Sequence, residues 1–225
     1  MLQRFVYIAV ILSLVFTASM ASADTVWLTE TGVANAVTVS IHAGTLGNLS
    51  ALAGNYLLAI QNPLGSTSMQ FSGFCVDPAF APTSFQPYEL VPIAEESRYE
   101  AAAWVLSQGN AFNAAAAQVA VWELTWDTPF NLHDGIFQLN GGVNEADVTA
   151  IYYAALAGMG ASFDQSAFVL ARNPIGDPTI LGAGEQDYII KSPAVPIPPT
   201  ALLLGSGLLG LVGLGWRRSR KEGSS

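Results

Sequence analysis

The chain has 225 residues, with seventeen acids against eight basic residues and a formal net charge of −9. A surface of that sign repels nucleic acid and anionic membranes, which excludes both as partners of the folded body. With 51% of residues apolar, the chain is long enough for one domain with a substantial core.

Residues 1–23 read as a secretory signal. Arg4 supplies the positive start, Val6 to Phe16 an apolar core, and "ASMASA" the small residues a signal peptidase needs, with Ala21 and Ala23 in register. Cleavage is expected after Ala23; the alternative is an uncleaved anchor. The body, residues 24–192, keeps only Arg98, Arg172 and Lys191 of the basic residues and all the acids but Glu222. One lysine is therefore the whole supply of side-chain amines in the mature body.

Residues 25–43 alternate, with Val33, Val37, Val39 and Ile41 spaced by two over much of the run, and predict a strand. Gly54–Pro63 predicts a second. Met69–Val76 predicts a third, with Phe71 and Cys75 sharing a face by parity. Pro78, Pro82 and Pro87 mark a loop. The pattern then changes. Ser97-Arg98-Tyr99-Glu100 has the form of a capping box ahead of "AAAWVLSQ", which predicts a helix ending near Gln108 or Gly109. Asn113 is placed to cap "AAAAQVAVWELTW", and Asn144 with Asp147 to cap "EADVTAIYYAALAG", which stops at Gly158 or Gly160. Ala167–Arg172 and Gln186–Ile190 are strand-like. Strands, helices, then strands predict an α+β fold, with a helical insert mounted on a β-sandwich or sheet.

The last part, residues 193–225, has three pieces. A proline cluster (Pro193, Pro196, Pro198, Pro199) precedes an apolar, Gly-rich run over 200–216, and Arg217, Arg218, Arg220 and Lys221 follow at once. Seventeen helical residues approach the roughly 30 Å of a bilayer's hydrocarbon core, and the basic end stays cytoplasmic. A permanent C-terminal anchor is the simpler reading. The motif Val195-Pro196-Ile197-Pro198-Pro199, the helix, the basic end and their C-terminal place together resemble the PEP-CTERM sorting signal of Gram-negative bacteria. That resemblance implies export, an inner-membrane intermediate held by the C-terminal helix, recognition by an exosortase-type sorting protease, and release to the cell surface or extracellular matrix.

Cys75 is the single cysteine, so no internal disulfide exists. In the second predicted helix Gln118 shares a face with Ala114, Ala115, Val121 and Trp122. A primary amide buried there costs about 1–3 kcal/mol unless it is hydrogen-bonded. A cysteine thiolate can attack a glutamine carboxamide, expel ammonia and leave a Cys–Gln thioester, an acyl group that an amine or hydroxyl later opens. Such a bond needs a dry site, for which Phe71, Phe74, Trp104, Trp122 and Trp126 are available. The plain alternative is that Cys75 only packs and Gln118 bonds the backbone or faces solvent.

"FCVDP", "AAAWVLSQGN" and "AAAAQVAVWEL" resemble the bacterial thioester-domain adhesin family, in which an aromatic-Cys pair precedes a Gln-x-apolar-apolar-Trp motif. The resemblance implies a β-sandwich with a helical subdomain, a thioester between Cys75 and Gln118, Trp122 in the family's tryptophan place, and a surface protein or polysaccharide as covalent target. On this reading Phe74, Trp104 and Trp122 shield the bond, and the protein is a self-crosslinking binder rather than an enzyme.

Other constellations are weaker. His42, His133 and Cys75 lack zinc-site spacing, and no EF-hand, P-loop or dinucleotide fingerprint is present, so no metal or cofactor is expected. A Cys–His hydrolase would require His133 or His42 beside Cys75; otherwise His133 is a surface residue or an aid to thioester chemistry. Glu123 and Asp127, four apart, read as a solvated acidic face before a glycosidase pair, and Glu95 and Glu96 only approach the first helix. Asp177, Glu185 and Asp187 are candidate calcium ligands without a motif. A non-covalent structural or carbohydrate-associated matrix protein is the rival to the adhesin, and a small secreted hydrolase the third reading.

Overall fold

A computed structural model describes residues 24–61, 68–78, 85–93, 97–160, 163–174 and 186–193. The signal segment 1–23, the sorting motif Val195–Pro199, the apolar run 200–216 and the basic end lie outside the described residues, as do Glu95, Glu96, Asp177 and Glu185.

The fold is α+β. Seven strands, β1 (Asp24–Ala43), β2 (Asn48–Gln61), β3 (Ser68–Cys75), β4 (Gln86–Pro92), β5 (Phe137–Gly141), β6 (Phe168–Arg172) and β7 (Tyr188–Lys191), form one sheet. Every pairing is antiparallel. The order β2-β3-β7-β6-β4-β1-β5 has an added β2–β1 pairing, so the first six of these strands close on themselves and β5 hangs from the end of β1. Three helices, α1 (Glu100–Ser107), α2 (Ala114–Trp126) and α3 (Glu145–Gly158), are inserted between β4 and β6, with β5 among them.

β1 can serve both regions because it is bulged. Its register with β2 shifts between Glu30 and Gly32 and again between Ala34 and Val37. Each extra residue reverses which face the following side chains occupy. Leu28 opposes Ile60, Glu30 opposes Leu58 and Val33 opposes Tyr56, all turned into the ring; beyond the second bulge Val39 and Ile41 turn to the helices. A plain alternation from Val33 to Ile41 is thus interrupted. Two cores result. A smaller one inside the ring contains Leu28, Tyr56, Leu58, Cys75, Tyr88, Tyr188 and Ile190. A larger one lies between the ring and the helices and contains Phe74, Ile41, Ile189, Val121 and Trp122.

The helix starts divide. Asn113 caps α2 as expected, its Oδ1 accepting from Ala115 N (3.0 Å) and Ala116 N (3.1 Å), and Asn144 caps α3 through Ala146 N (3.0 Å). α1 starts later than the capping-box reading placed it: Ser97–Tyr99 is a 3-10 turn, the helix begins at Glu100, and Tyr99 at the cap position makes no side-chain capping bond. Gly109, at φ 58°, follows the end of α1 where the chain must turn left-handed. β4 occupies what reads as a proline loop. Pro87 fits because it opposes Trp27 of β1 at a level that β6, pairing only from Glu89, does not reach. Short β5 was not legible as a strand.

Candidate functional site

The centre of the helical layer is α2, buried on every side from Ala115 to Thr125. Gln118, Trp122 and Thr125 recur at helical spacing on one of its faces, and that face meets the end of β3. Thr125 Oγ1 donates to Val76 O at 2.8 Å and Trp126 Nε1 donates to the same carbonyl at 2.7 Å. Gln118 reaches the residue before it: Cys75 N donates to Gln118 Oε1 at 3.1 Å, and Gln118 Nε2 donates to Cys75 O at 2.6 Å. Both partners are fully buried.

Strand geometry explains this clasp. Cys75 pairs with Tyr188 of β7 on one side, and Val76 N continues that ladder to Asp187 O at 3.0 Å. Successive residues point their backbone groups to opposite sides, so Cys75's N–H and C=O face β2. The β2 register with β3 ends at Tyr56–Gly73. The carboxamide of Gln118 takes the place of the next β2 peptide. It thereby satisfies four buried polar atoms, which answers the partner demand of a glutamine on an apolar helix face. Gly73 lets β3 approach β7 here, since a Cβ on it would meet Ile189 O at 2.6 Å.

The sulfur lies inside the ring, in one cluster with Tyr56, Tyr88 and Tyr188, and Phe71 packs against the same cluster as parity requires. Its S–H donates to the carbonyl of Asp77. Burial pushes the thiol well above its ordinary pKa, and the Asp77 and Glu30 charges add to this; the Trp122 indole N–H and a backbone hydrogen bond from Asp77 oppose it. That indole N–H is otherwise buried with no hydrogen-bond acceptor. It is therefore a donor left over for negative charge on the sulfur.

The expected shielding residues are not equivalent. Trp122 is fully buried at the clasp. Phe74 is buried too, but it belongs to the core on the opposite face of β3 from Cys75 and walls the helix side. Trp104 packs elsewhere: its ring lies 6.2 Å from that of Phe112 and fits against Gly158, where a Cβ would come within 2.1 Å of it.

The histidines have other partners. His133 Nε2 lies 3.2 Å from Glu145 Oε2 in an exposed pair, and His42 Nδ1 lies 3.2 Å from Asn48 Oδ1. Glu123 and Asp127 do not form a solvated face; both are buried. They also do not act on a shared cleft. Glu123 Oε1 accepts from Asn131 N at 2.7 Å, while Asp127 accepts from Ile136 N (2.9 Å) and Phe137 N (2.7 Å). The pair fastens the 128–136 loop to α2. Burial, with the nearby Asp127 charge, raises the Glu123 carboxyl to about 7 against the opposing Asn131 bond. Asp187 is likewise structural, its Oδ1 accepting from Asn173 N at 2.7 Å.

At the Cys75 end of the ring interior, sequence reasoning had no signal for Glu30, Tyr188 and Gln186. The Tyr188 hydroxyl lies 3.2 Å from Glu30 Oε2 and 3.1 Å from Gln186 Oε1. Glu30 points inward with Leu28, two residues before it and ahead of the first bulge of β1, whereas beyond the bulge it is odd-numbered Val33 that faces in.

No family model, curated protein or solved structure matches this chain.

Proposed function

We propose that the protein is an exported, adhesin-like covalent binder whose Cys75 and Gln118 form an internal thioester. The observation that carries this reading is the clasp, which presses the carboxamide of Gln118 against the residue that bears the sulfur. In the reaction the thiol gives up its proton, sulfur attacks Gln118 Cδ, and the C–N bond breaks. The amide nitrogen leaves with that proton as ammonia. Cys75 N–H already points at Oε1, where negative charge develops in the tetrahedral intermediate. The bond from Nε2 to Cys75 O holds the leaving group, and the Trp122 N–H stabilises the sulfur anion. A surface amine or hydroxyl on a protein or polysaccharide would then take the acyl group and restore the thiol. No cofactor is needed. Export, sorting by an exosortase-type protease and display on the cell surface or in the matrix complete the reading, on the strength of the sequence at the two ends. Against the thioester-domain pattern, the finer form of the fold would be a strand ring serving as the sandwich and the three helices as the subdomain.

Intact mass tests it. The purified protein should be one ammonia lighter than its sequence, methylamine should add back to it, and Cys75→Ala should abolish both effects. A mass equal to the plain sequence with no methylamine adduct defeats the covalent reading. One observation favours the rival non-covalent matrix protein: both ends of the carboxamide are already satisfied, as a purely structural glutamine requires. The same mass measurement decides between them.

A further inference from the structure

The ring interior is apolar along most of its length and turns polar beside Cys75. Tyr188 and Gln186 meet Glu30 there, Tyr88 Oη donates to Gln186 O at 2.9 Å, and Tyr56 Oη donates to Leu52 O at 2.9 Å. A cavity of about 190 Å³ opens at this end, lined by Glu30, Val33, Leu49, Leu52, Tyr56 and Gln186 among others. Its walls are aliphatic and aromatic, and its one ionisable acid is Glu30. No cationic side chain lines it, and among the described residues none pairs with Glu30. Cys75 does not line the cavity, but Tyr56 does. The rings of Tyr56 and Tyr188, 5.7 Å apart, pack in one cluster with Cys75.

We propose that this cavity receives the nucleophile as a primary alkylammonium, its alkyl stem against Val33, Leu49 and Leu52 and its charged head on Glu30. An apolar trough ending in a half-buried carboxylate suits that chemistry better than a neutral hydroxyl, which gains nothing from the charge. The covalent step rests on the thioester reading above; the affinity of the cavity for an ammonium does not. In that step the ammonium gives a proton to Glu30, and the Tyr56 ring swings aside. The free amine attacks the thioester carbonyl and the C–S bond breaks. The sulfur keeps one proton from the amine, the new amide keeps one, and Glu30 passes the third to solvent. Desolvation raises the Glu30 carboxyl above its ordinary value, the Tyr188 bond opposing, which brings it nearer to a proton acceptor's range.

Two measurements test this separately from the thioester. The first titrates n-butylammonium into Cys75→Ala, which has no thiol, and follows amide NMR signals. Shifts at Glu30, Tyr56 and Gln186 are expected, with none from n-butanol at equal concentration and none in Cys75→Ala/Glu30→Gln. No butylammonium shift at these residues overturns the inference whatever the mass data give. The second follows adducts on the otherwise unaltered protein by mass. Glu30→Gln, which keeps an acceptor for Tyr188, and Ser50→Lys on the exposed rim should each slow n-butylamine by about tenfold and leave neutral hydroxylamine unchanged. Equal slowing of both nucleophiles also overturns it. A wild type that has lost no ammonia removes the thioester, and the NMR titration still decides the cavity.

Discussion

At the scale of single residues, Gln118 is the one on which most depends. Its carboxamide replaces a missing strand, so its removal leaves Cys75 N–H and C=O buried and unpaired. Gln118→Ala should destabilise the fold by about 3 kcal/mol through those groups and the lost side chain, measured by chemical denaturation. A midpoint equal to wild type would mean that water replaces the amide. Trp122→Phe separates packing from the indole N–H: it keeps an aromatic ring beside Phe137 and deletes the donor facing the sulfur. The expected outcome is slower ammonia loss in mass spectra timed from refolding, with a packing penalty of about 1–3 kcal/mol. The need for a partner at Gln118 was legible because a helix face written in alanine, valine and tryptophan gives an amide nothing to bond. Glu30 was illegible for the opposite reason: it shares the face of Leu28, but parity counted back from Val33 crosses a bulge and puts it outside.

Among elements, the loop after α2 depends on two carboxylates read from sequence as solvated. Spacing showed that Glu123 and Asp127 share a helix face; it did not show that the 128–136 segment folds back over them to present backbone N–H groups. The same gap hid β5, whose first N–H group, at Phe137, bonds to Asp127 together with that of Ile136 just before it. Asp127→Ala should cost about 2–4 kcal/mol and speed amide exchange at Ile136 and Phe137 ahead of the strand ring. Glu123 makes a pH prediction. Its carboxyl stands at about 7 in the folded protein against an ordinary 4.5, so folding favours the protonated form. That contribution is fully present below 4.5 and is lost as pH rises through 7. Glu123→Gln should flatten denaturation midpoints across this window, by up to about 3 kcal/mol, and be the more stable protein above it. An unchanged slope would show that Glu123 ionises freely. The caps on α2 and α3 were legible because a cap is local, whereas ahead of α1 a 3-10 turn over Ser97–Tyr99 puts the helix start at Glu100.

For the whole molecule, alternation and helical periodicity were sufficient to give α+β and the placing of helices between strands. Closure of the sheet was not legible, since it depends on one 20-residue strand bulged so as to serve β4, β2 and β5 in turn. Sequence alternation reports which residues are apolar, not which of two cores receives them. β3 divides its residues between both cores, so that Phe74 and Cys75, adjacent in sequence, look into different interiors.

That division has a mechanical consequence. Gln118 belongs to the helical layer and Cys75 to the strand ring, so a thioester would rivet the layers together until a target took the acyl group. On that reading capture would undo the rivet at the moment tension arrives, and the pull would enter through α2 alone. What resists it is the Asn113 cap, the Thr125 and Trp126 bonds to Val76, and the loop fastened by Glu123 and Asp127. The strand ring, with its sulfur set free, would carry load only through those bonds at Val76.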